Sequence, residues 1–187
     1  MAGLPGTGKT YLANKLATYL KYSLIGQNII RRKFMMKKMQ NQNKVLREID
    51  KRLAFIINSG KGVIFDSVNK YSFRRQQVYG IASSCGVNAI LLECTCSEEE
   101  AKKRMKKRPG NDGLVSDPNN TKVYDKLARQ WQNIKKDFTL GGINHVSHLR
   151  YDSEQKKFEK VVVNNNSKNL NSFIEKIEKI LTNQEKT

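Results

Sequence analysis

Residues 3–10 combine glycines, a lysine and a threonine at a spacing that suits phosphate chemistry. Glycine lets a backbone turn sharply and bring its N–H groups against phosphate oxygens, where a Cβ would intrude. A lysine adds a positive charge for the outer phosphates, and a threonine hydroxyl is an accepted Mg²⁺ ligand. The stretch fits the phosphate-binding pattern G-x-x-x-x-G-K-[ST] and predicts a site for ATP with Mg²⁺. Its residues are Gly3, Leu4, Pro5, Gly6, Thr7, Gly8, Lys9 and Thr10.

The alternative interpretation of this stretch is a glycine-rich turn ahead of an ordinary helix. Leu12, Leu16 and Leu20 recur at helical spacing directly after it. A helix that starts there would direct unsatisfied N–H groups and the positive end of its dipole at the loop. The phosphate-binding interpretation is therefore favoured.

The strand that normally leads into such a loop is short in this sequence. Only Met1 and Ala2 precede Gly3, whereas a buried strand of about five residues is expected. Either the central strand is truncated, or the start of the sequence is assigned too late. The second explanation is favoured, because a parallel sheet without its central strand would leave backbone groups unpaired.

Asp66 follows a compact β-type run, Val63–Phe65. A carboxylate at the end of a buried strand can hold the hydration shell of Mg²⁺ or orient an attacking group. The alternative is that Asp66 only caps the next segment. Because a phosphate-binding loop is present, Asp66 and Thr10 are predicted to share the metal.

Three further polar residues are candidates for binding a substrate. Asn28 and Arg31 come just after a predicted short strand at 22–26, where open α/β sheets place ligands. Arg74 lies in the first turn of a helix predicted at 71–84, where its charge opposes the helix dipole. That cost is tolerable if Arg74 serves a ligand, although it could also be an ordinary solvated side chain.

A lid is predicted over about 97–137. Ser97 begins a capping-box pattern, and Arg104 and Arg108 are four residues apart on the helix that follows. Residues 109–120 are rich in turn formers, and a second helix with an apolar stripe of Val123, Leu127, Trp131 and Ile134 is expected after them. Such an arrangement can close basic groups over phosphates.

A length of 187 residues favours a single domain over residues 1–187. Sequence patterns predict further strands near 89–94, 145–151 and 157–163 and a helix at about 167–182. No membrane span or signal peptide is evident, so a cytoplasmic location is expected. Net charge is +18, which favours anionic partners without demonstrating nucleic-acid binding. Cys85, Cys94 and Cys96 are expected to be reduced thiols, and His145 and His148 to face opposite sides of a strand.

The loop at 3–10, the Val63–Asn69 segment and the pair Arg104 and Arg108 resemble the P-loop kinase group. That group includes polynucleotide 5′-hydroxyl kinases, zeta toxins and AAA-type ATP-binding proteins, and the resemblance covers most of positions 1–150. It implies a three-layer, nucleoside-kinase-like P-loop NTPase fold, with a parallel sheet of order 2-3-1-4-5 and a helical lid. It also implies transfer of the γ-phosphoryl group of ATP to an acceptor hydroxyl.

The resemblance also implies roles for single residues. Lys9 and Thr10 would serve phosphate and Mg²⁺, Asp66 the acidic position at the strand end, and Arg104 and Arg108 the lid. Arg31 would steady the acceptor. The sequence departs from the group at Asn28, where many relatives have an aspartate that accepts the hydroxyl proton, and an amide cannot do so.

The acceptor stays open at this point. A polynucleotide 5′ end and a nucleotide-linked metabolite both suit the positive charge. The rival function is a nucleotide-responsive protein that associates with nucleic acid without kinase activity, and a weaker third is an ATPase that drives changes of assembly.

Overall fold

Helices and strands alternate along the part of the chain that the computed structural model describes, which comprises residues 1–36, 41–108, 119–139, 143–163 and 168–182. The described strands are β1 (Ser23–Gly26), β2 (Val63–Asp66), β3 (Ala89–Thr95), β4 (Val146–Asp152) and β5 (Lys157–Val162). The described helices are α1 (Lys9–Leu20), α2 (Gln27–Met36), α3 (Gln42–Asn58), α4 (Ser72–Ser84), α5 (Glu98–Lys106), α6 (Lys122–Arg129), α7 (Lys135–Thr139) and α8 (Lys168–Thr182). The prediction of an α/β fold is confirmed.

The strands form two ladders. β1 pairs with β2 in parallel, with Gly26 opposite Asp66. β3 pairs with β4 in parallel, and β5 adds to β4 as an antiparallel edge. Parallel pairing follows from the helical connections, because a strand can be followed by a parallel neighbour only through a crossover.

The first residues of the chain lie between the two ladders. Ala2 makes one parallel bridge with Glu93, its N–H donating to Leu92 O and its carbonyl accepting from Cys94 N. On the other side the Met1 nitrogen donates to Phe65 O over 2.9 Å. The expected central strand is thus reduced to a short bridge. The complete order 2-3-1-4-5 is not confirmed, because the ladders remain sheets of two and three strands.

An apolar cavity of about 590 Å³ adjoins this bridge. Both ladders and the helices on either side contribute to its lining, including Leu16, Tyr22, Ile64, Ile90 and Phe173. Met1 is part of the lining, next to the Ala2 bridge that lies between β2 and β3.

The sheets are covered by helices on both faces. On one face Leu16 of α1 and Ile174 of α8 pack with Leu92 and Leu149. On the other face Tyr79 of α4 packs with neighbouring strand residues and with Ile134. Val45, Ile49 and Leu53 give α3 an apolar side, and they pack on Ile25 and Phe65. Helices on two sides of parallel strands are the usual solution for burying both faces.

The second half of the predicted lid differs from the expectation. The apolar stripe through Trp131 and Ile134 suggested one helix, but α6 ends at Arg129 and α7 begins at Lys135. Ile134 is buried against the sheet. We attribute the turn after α6 to the burial of Ile134, because burying an apolar side chain contributes more free energy than the helix propensity of a few further residues.

Two other predictions concern the remaining segments. The turn-rich loop predicted at 109–120 lies outside the described residues except for its last two, and the C-terminal helix is confirmed as α8. No described helix is long and apolar enough to span a membrane.

Candidate functional site

The loop at 3–10 is held against its surroundings by close backbone contacts. Gly3, Gly6 and Gly8 all have positive φ, of 144°, 85° and 85°. A Cβ on Gly3 would lie 2.4 Å from Cys94 O, and one on Gly6 would lie 2.3 Å from Ala101 O. Both distances are too short for any side chain, so glycine is required at these two positions.

The N-terminus of α1 lies at the end of this loop. Its N-cap is Gly8, and within the described residues no side chain caps it. The first N–H groups of a helix have no partner inside the helix, and the helix dipole is positive there. The arrangement is the usual one for binding a phosphate.

Lys9 is buried beside the loop, with 8% of its surface exposed. Its Nζ donates to the Leu4 carbonyl over 2.6 Å. Burial lowers the pKa of Lys9 to about 8; nearby Cys94 and Asp66 act in the opposite direction, and Arg108 adds to the lowering. A buried cation of this kind is stabilised by any anion that reaches it.

Thr10 and Asp66, the two residues predicted as Mg²⁺ ligands, are in direct contact. The Thr10 hydroxyl donates to Asp66 Oδ2 over 2.7 Å, which joins the start of α1 to the end of β2. These are hard oxygen donors, and Mg²⁺ is normally held by one or two protein groups together with phosphates and waters. The pair therefore fits Mg²⁺, while the described residues contain no cluster of three His, Cys, Asp or Glu side chains that could hold a metal by themselves.

Arg104 extends from α5 toward the same loop. Its Nη1 donates to Ser153 Oγ over 2.7 Å, its Nη2 to Ser153 O over 3.3 Å, and its Nε to Glu100 over 2.7 Å. An ideal Cβ on Gly8 would be 3.9 Å from Arg104 Nη1. The guanidinium thus lies beside the N-cap of α1.

Arg108 is exposed and lies beyond the end of its helix. α5 ends at Lys106, so Arg104 lies on the helix, whereas Arg108 lies two residues past its end and outside the helix face predicted for the pair. The charge of Arg108 nevertheless contributes to the lowered pKa of Lys9.

The residues after β1 occupy the same edge of the sheet. Asn28 is exposed as the second residue of α2. Its neighbour Gln27 accepts a hydrogen bond from the Ser67 hydroxyl, which joins the ends of β1 and β2. Arg31 is half-buried and donates to Gln42 over 3.3 Å, and burial lowers its pKa.

Arg74 has a different environment from the one expected for a substrate ligand. It is buried, and its two terminal nitrogens donate to Asp50 over 3.0 and 2.7 Å. This bidentate pair joins α3 to α4. Because the carboxylate stabilises the buried guanidinium, the unfavourable position at the start of α4 has a structural explanation.

The cysteines are free thiols, and the two histidines contact different groups. The three cysteines are free, and Cys94 is buried, which raises the pKa of its thiol to about 12. His148 Nε2 lies 3.0 Å from Glu93 Oε2, whereas His145 Nε2 lies 2.9 Å from Tyr79 O. His145 directly precedes β4, whereas His148 lies within it.

Ser153 and Glu100 are site residues that the sequence analysis missed. Ser153 directly follows the last residue of β4, at the carboxyl end of a parallel strand, as Ser67 does after β2. A position after a parallel strand indicates a possible ligand site, since ligands bind at the carboxyl ends of such strands. The weak alternation of apolar and polar residues in β4 leaves the end of this strand poorly marked in the sequence.

Comparison with known proteins gives one family match and several structural neighbours. A family model described as an AAA domain matches residues 1–138. A gluconokinase from Sinorhizobium meliloti 1021 superposes with a TM-score of 0.53 at 15% identity, covering 97% of this chain and 89% of the other. A search of curated proteins found no match to the sequence.

Two further solved structures superpose on this chain with comparable TM-scores. A Chloroflexus aurantiacus j-10-fl protein that carries a provisional description as a kinase has a TM-score of 0.59 at 14% identity, over 94% of this chain and 97% of its own. The Mycobacterium tuberculosis APS kinase CysC, in complex with AMPPNP and APS, has a TM-score of 0.56 at 13% identity, over 93% and 94%. At such identities the likeness establishes the fold alone.

Proposed function

This chain belongs to the AAA domain family, and from that membership we propose that it is an ATP-dependent phosphotransferase. It binds ATP with Mg²⁺ at residues 3–10 and transfers the γ-phosphoryl group to a hydroxyl acceptor. The 2.7 Å contact between Thr10 and Asp66 is the observation that carries the proposal. It puts two Mg²⁺-type ligands at a helix N-terminus that suits phosphate.

Each residue near the loop has a task in this reaction. Thr10 and Asp66 would hold Mg²⁺, which when bound offsets charge on the phosphates. Lys9 exchanges its bond to the Leu4 carbonyl for phosphate oxygens, and Arg104 and Arg108 face charge that develops on the transferred group. Such transfer depends mainly on positioning and charge stabilisation.

The acceptor would bind at the ends of β1 and β2. Arg31 supplies a positive charge there, so the acceptor is proposed to be anionic, either a polynucleotide 5′ end or a nucleotide-linked metabolite. The APS kinase neighbour was solved with APS and AMPPNP, which supports a nucleotide-linked acceptor as the first to test. Asn28 cannot take a proton, so transfer is expected to be slow.

Thermal unfolding with and without Mg²⁺ and the ATP analogue AMPPNP tests the nucleotide site. At ligand about 100 times its Kd, binding adds ~2.7 kcal/mol, or about 5–11 °C in a chain of this size. Lys9→Met should lose the shift, and Asp66→Asn should lose the part that depends on Mg²⁺. Lys51→Met, at an exposed position of α3, is the control. An equal shift in Lys9→Met and the wild type would contradict the proposal.

Phosphoryl transfer is tested with γ-labelled ATP and a panel of hydroxyl acceptors. The wild type and Asn28→Asp are assayed side by side, because a carboxylate at this position could accept the hydroxyl proton. General-base catalysis contributes about 10²–10⁴-fold, so Asn28→Asp is expected to be faster by up to that range. A labelled product that also forms with Lys9→Met would rule out this site as its source.

A second candidate function is nucleotide-responsive binding without transfer. It is favoured by the amide at Asn28 and by the net charge of +18. It predicts AMPPNP binding, no labelled product in wild type or Asn28→Asp, and an association with RNA or DNA that weakens steeply as salt rises.

A further inference from the structure

We propose that Ser153, in the turn between β4 and β5, is a positioning residue that holds the Arg104 guanidinium beside the phosphate-binding loop. This inference rests on the proposed function and adds a residue that neither the loop pattern nor the family match assigns. Its basis is the set of contacts that link this turn to β3, to α5 and to the loop.

Ser153 is itself fixed to the end of β3. Its N–H donates to Thr95 O over 2.8 Å, and its hydroxyl donates to the same oxygen over 3.2 Å. A serine hydroxyl has one proton and can accept further bonds. Oγ can therefore donate to Thr95 O and at the same time accept, through its lone pairs, from Arg104, whose Nη1 lies 2.7 Å away.

The guanidinium is therefore held on two sides. Ser153 accepts from Nη1 and Nη2, and Glu100, one turn earlier on α5, accepts from Nε. These contacts with described residues use three of the five N–H groups of arginine and leave two for an anion. Bonds to a charged group at fixed geometry are stronger than neutral ones.

The same turn also holds the start of α5. The Glu154 carboxylate accepts from Ser97 N over 2.9 Å, and this bond lowers the pKa of Glu154. Ser97 in turn caps α5 through Glu100 N. The turn thus contacts both the N-cap of α5 and, two turns further along the helix, Arg104.

Ser153 and Arg104 both lie against the N-cap of α1. An ideal Cβ on Gly8 would lie 3.5 Å from Ser153 Cβ and 3.9 Å from Arg104 Nη1. Arg104 is consequently in place before a nucleotide arrives and does not depend on closure of a lid. When a charged side chain is already held in place, ordering it on ligand binding costs less free energy.

Two measurements test this role. The first needs no ligand: NMR of the Arg104 Nη1 protons, which face the Ser153 hydroxyl, in wild type, Ser153→Ala and Ser153→Thr. Ser153→Ala should speed exchange of these protons severalfold, and Ser153→Thr, which keeps a hydroxyl, should restore slow exchange. Ser83→Ala, an exposed serine of α4, is the control for the substitution itself.

The second measurement is the Kd of Mg²⁺-AMPPNP in a double-mutant cycle with Arg104→Met. Ser153→Ala is expected to raise the Kd about tenfold by loss of a bond to a charged group. In the Arg104→Met background the same change should add little, because the two act as a unit. Ser153→Thr should recover most of the affinity at an unchanged thermal midpoint.

The outcomes separate this inference from the proposed function. Unchanged exchange of the Nη1 protons in Ser153→Ala, or full additivity with Arg104→Met, would overturn the positioning role. If wild type binds no Mg²⁺-AMPPNP, the proposed function fails, and the NMR comparison by itself decides whether Ser153 holds Arg104. If Ser153→Ala lowers the thermal midpoint and Ser153→Thr does so equally, the residue is structural and the inference is wrong.

Discussion

Lys9 combines two properties that oppose each other, a positive charge and nearly complete burial. Burial lowers its pKa to about 8 from an ordinary 10.5. The folded chain thus loses the Lys9 proton more easily than the unfolded chain. Between about pH 8 and 10.5 the unfolded state binds more protons, so the Lys9 contribution to folding stability rises with pH in the absence of ligand.

Nucleotide binding should show the opposite dependence on pH. Phosphate requires the charged amine, and at pH 9 only about a tenth of Lys9 is protonated when its pKa is 8. We expect the Kd of Mg²⁺-AMPPNP, measured by calorimetry, to rise about tenfold between pH 7 and pH 9.

Lys9→Arg is the matched control, because a guanidinium stays charged throughout this range. If it binds, its profile should be flat. A wild-type Kd that is constant from pH 7 to pH 9 would show that Lys9 keeps an ordinary pKa or does not touch phosphate.

Sequence patterns located single residues within their own elements. The spacing of Gly3 to Thr10 placed Thr10 at the start of a helix, and the apolar run before Asp66 placed that carboxylate at the end of a strand. The contacts of Arg74 with Asp50, and of Arg104 with Ser153, join residues 24 and 49 positions apart. No periodicity reports such pairs, since they depend on which elements become neighbours in the fold.

At the scale of elements, a buried network fixes the segment after α6. Arg75 on α4 and Asp137 on α7 form an ion pair in which both side chains are 1% exposed or less. Arg75 also donates to carbonyls of Asn69, Lys70 and Gln132. The end of the segment predicted as a lid, residues 130–137, is therefore anchored to the core.

Loss of one partner of this pair should be costly. Asp137→Asn would leave the Arg75 charge buried without compensation, and breaking such pairs typically costs about 3–5 kcal/mol. Urea denaturation should show that loss in the free energy of unfolding.

Glu48→Gln is the control, because it removes the exposed pair with Arg52 on α3. Exposed pairs of this spacing contribute only ~0.3–0.5 kcal/mol. If Asp137→Asn cost no more than Glu48→Gln, the anchor role of the pair would be wrong.

Helix boundaries were predictable only where a single face decided them. α8 has a continuous apolar stripe, and its predicted bounds of about 167–182 agree with the observed Lys168–Thr182. Trp131 and Ile134 continue the stripe of α6 in sequence, yet they belong to a different packing surface, because Ile134 contacts the sheet. A stripe records that residues are buried and not which element buries them.

At the scale of the whole molecule, the large positive net charge is the main electrostatic feature. A net charge of +18 on 187 residues disfavours the compact state by self-repulsion. Salt shortens the Debye length from about 30 Å at 0.01 M to ~8 Å at 0.15 M, so it should relieve this repulsion.

The thermal midpoint should consequently rise with NaCl. A gain of about 1 kcal/mol between these concentrations would appear as ~2–4 °C. A variant with Lys44→Glu and Lys51→Glu, both exposed on α3, should show a smaller rise. A midpoint that falls with NaCl, or equal slopes in the two proteins, would show that surface repulsion is not limiting.

The cavity between β2 and β3 has a consequence for the response of the protein to pressure. Volume that is unfilled in the folded state is eliminated when a chain unfolds, which makes the volume change of unfolding negative. With about 590 Å³ of apolar space beside the Ala2 bridge, compression should act first on the seam between the two ladders. The same seam supports the phosphate-binding loop, and hydrostatic pressure should separate β2 from β3 before it disturbs α5 or α6, whose residues lie outside the cavity lining.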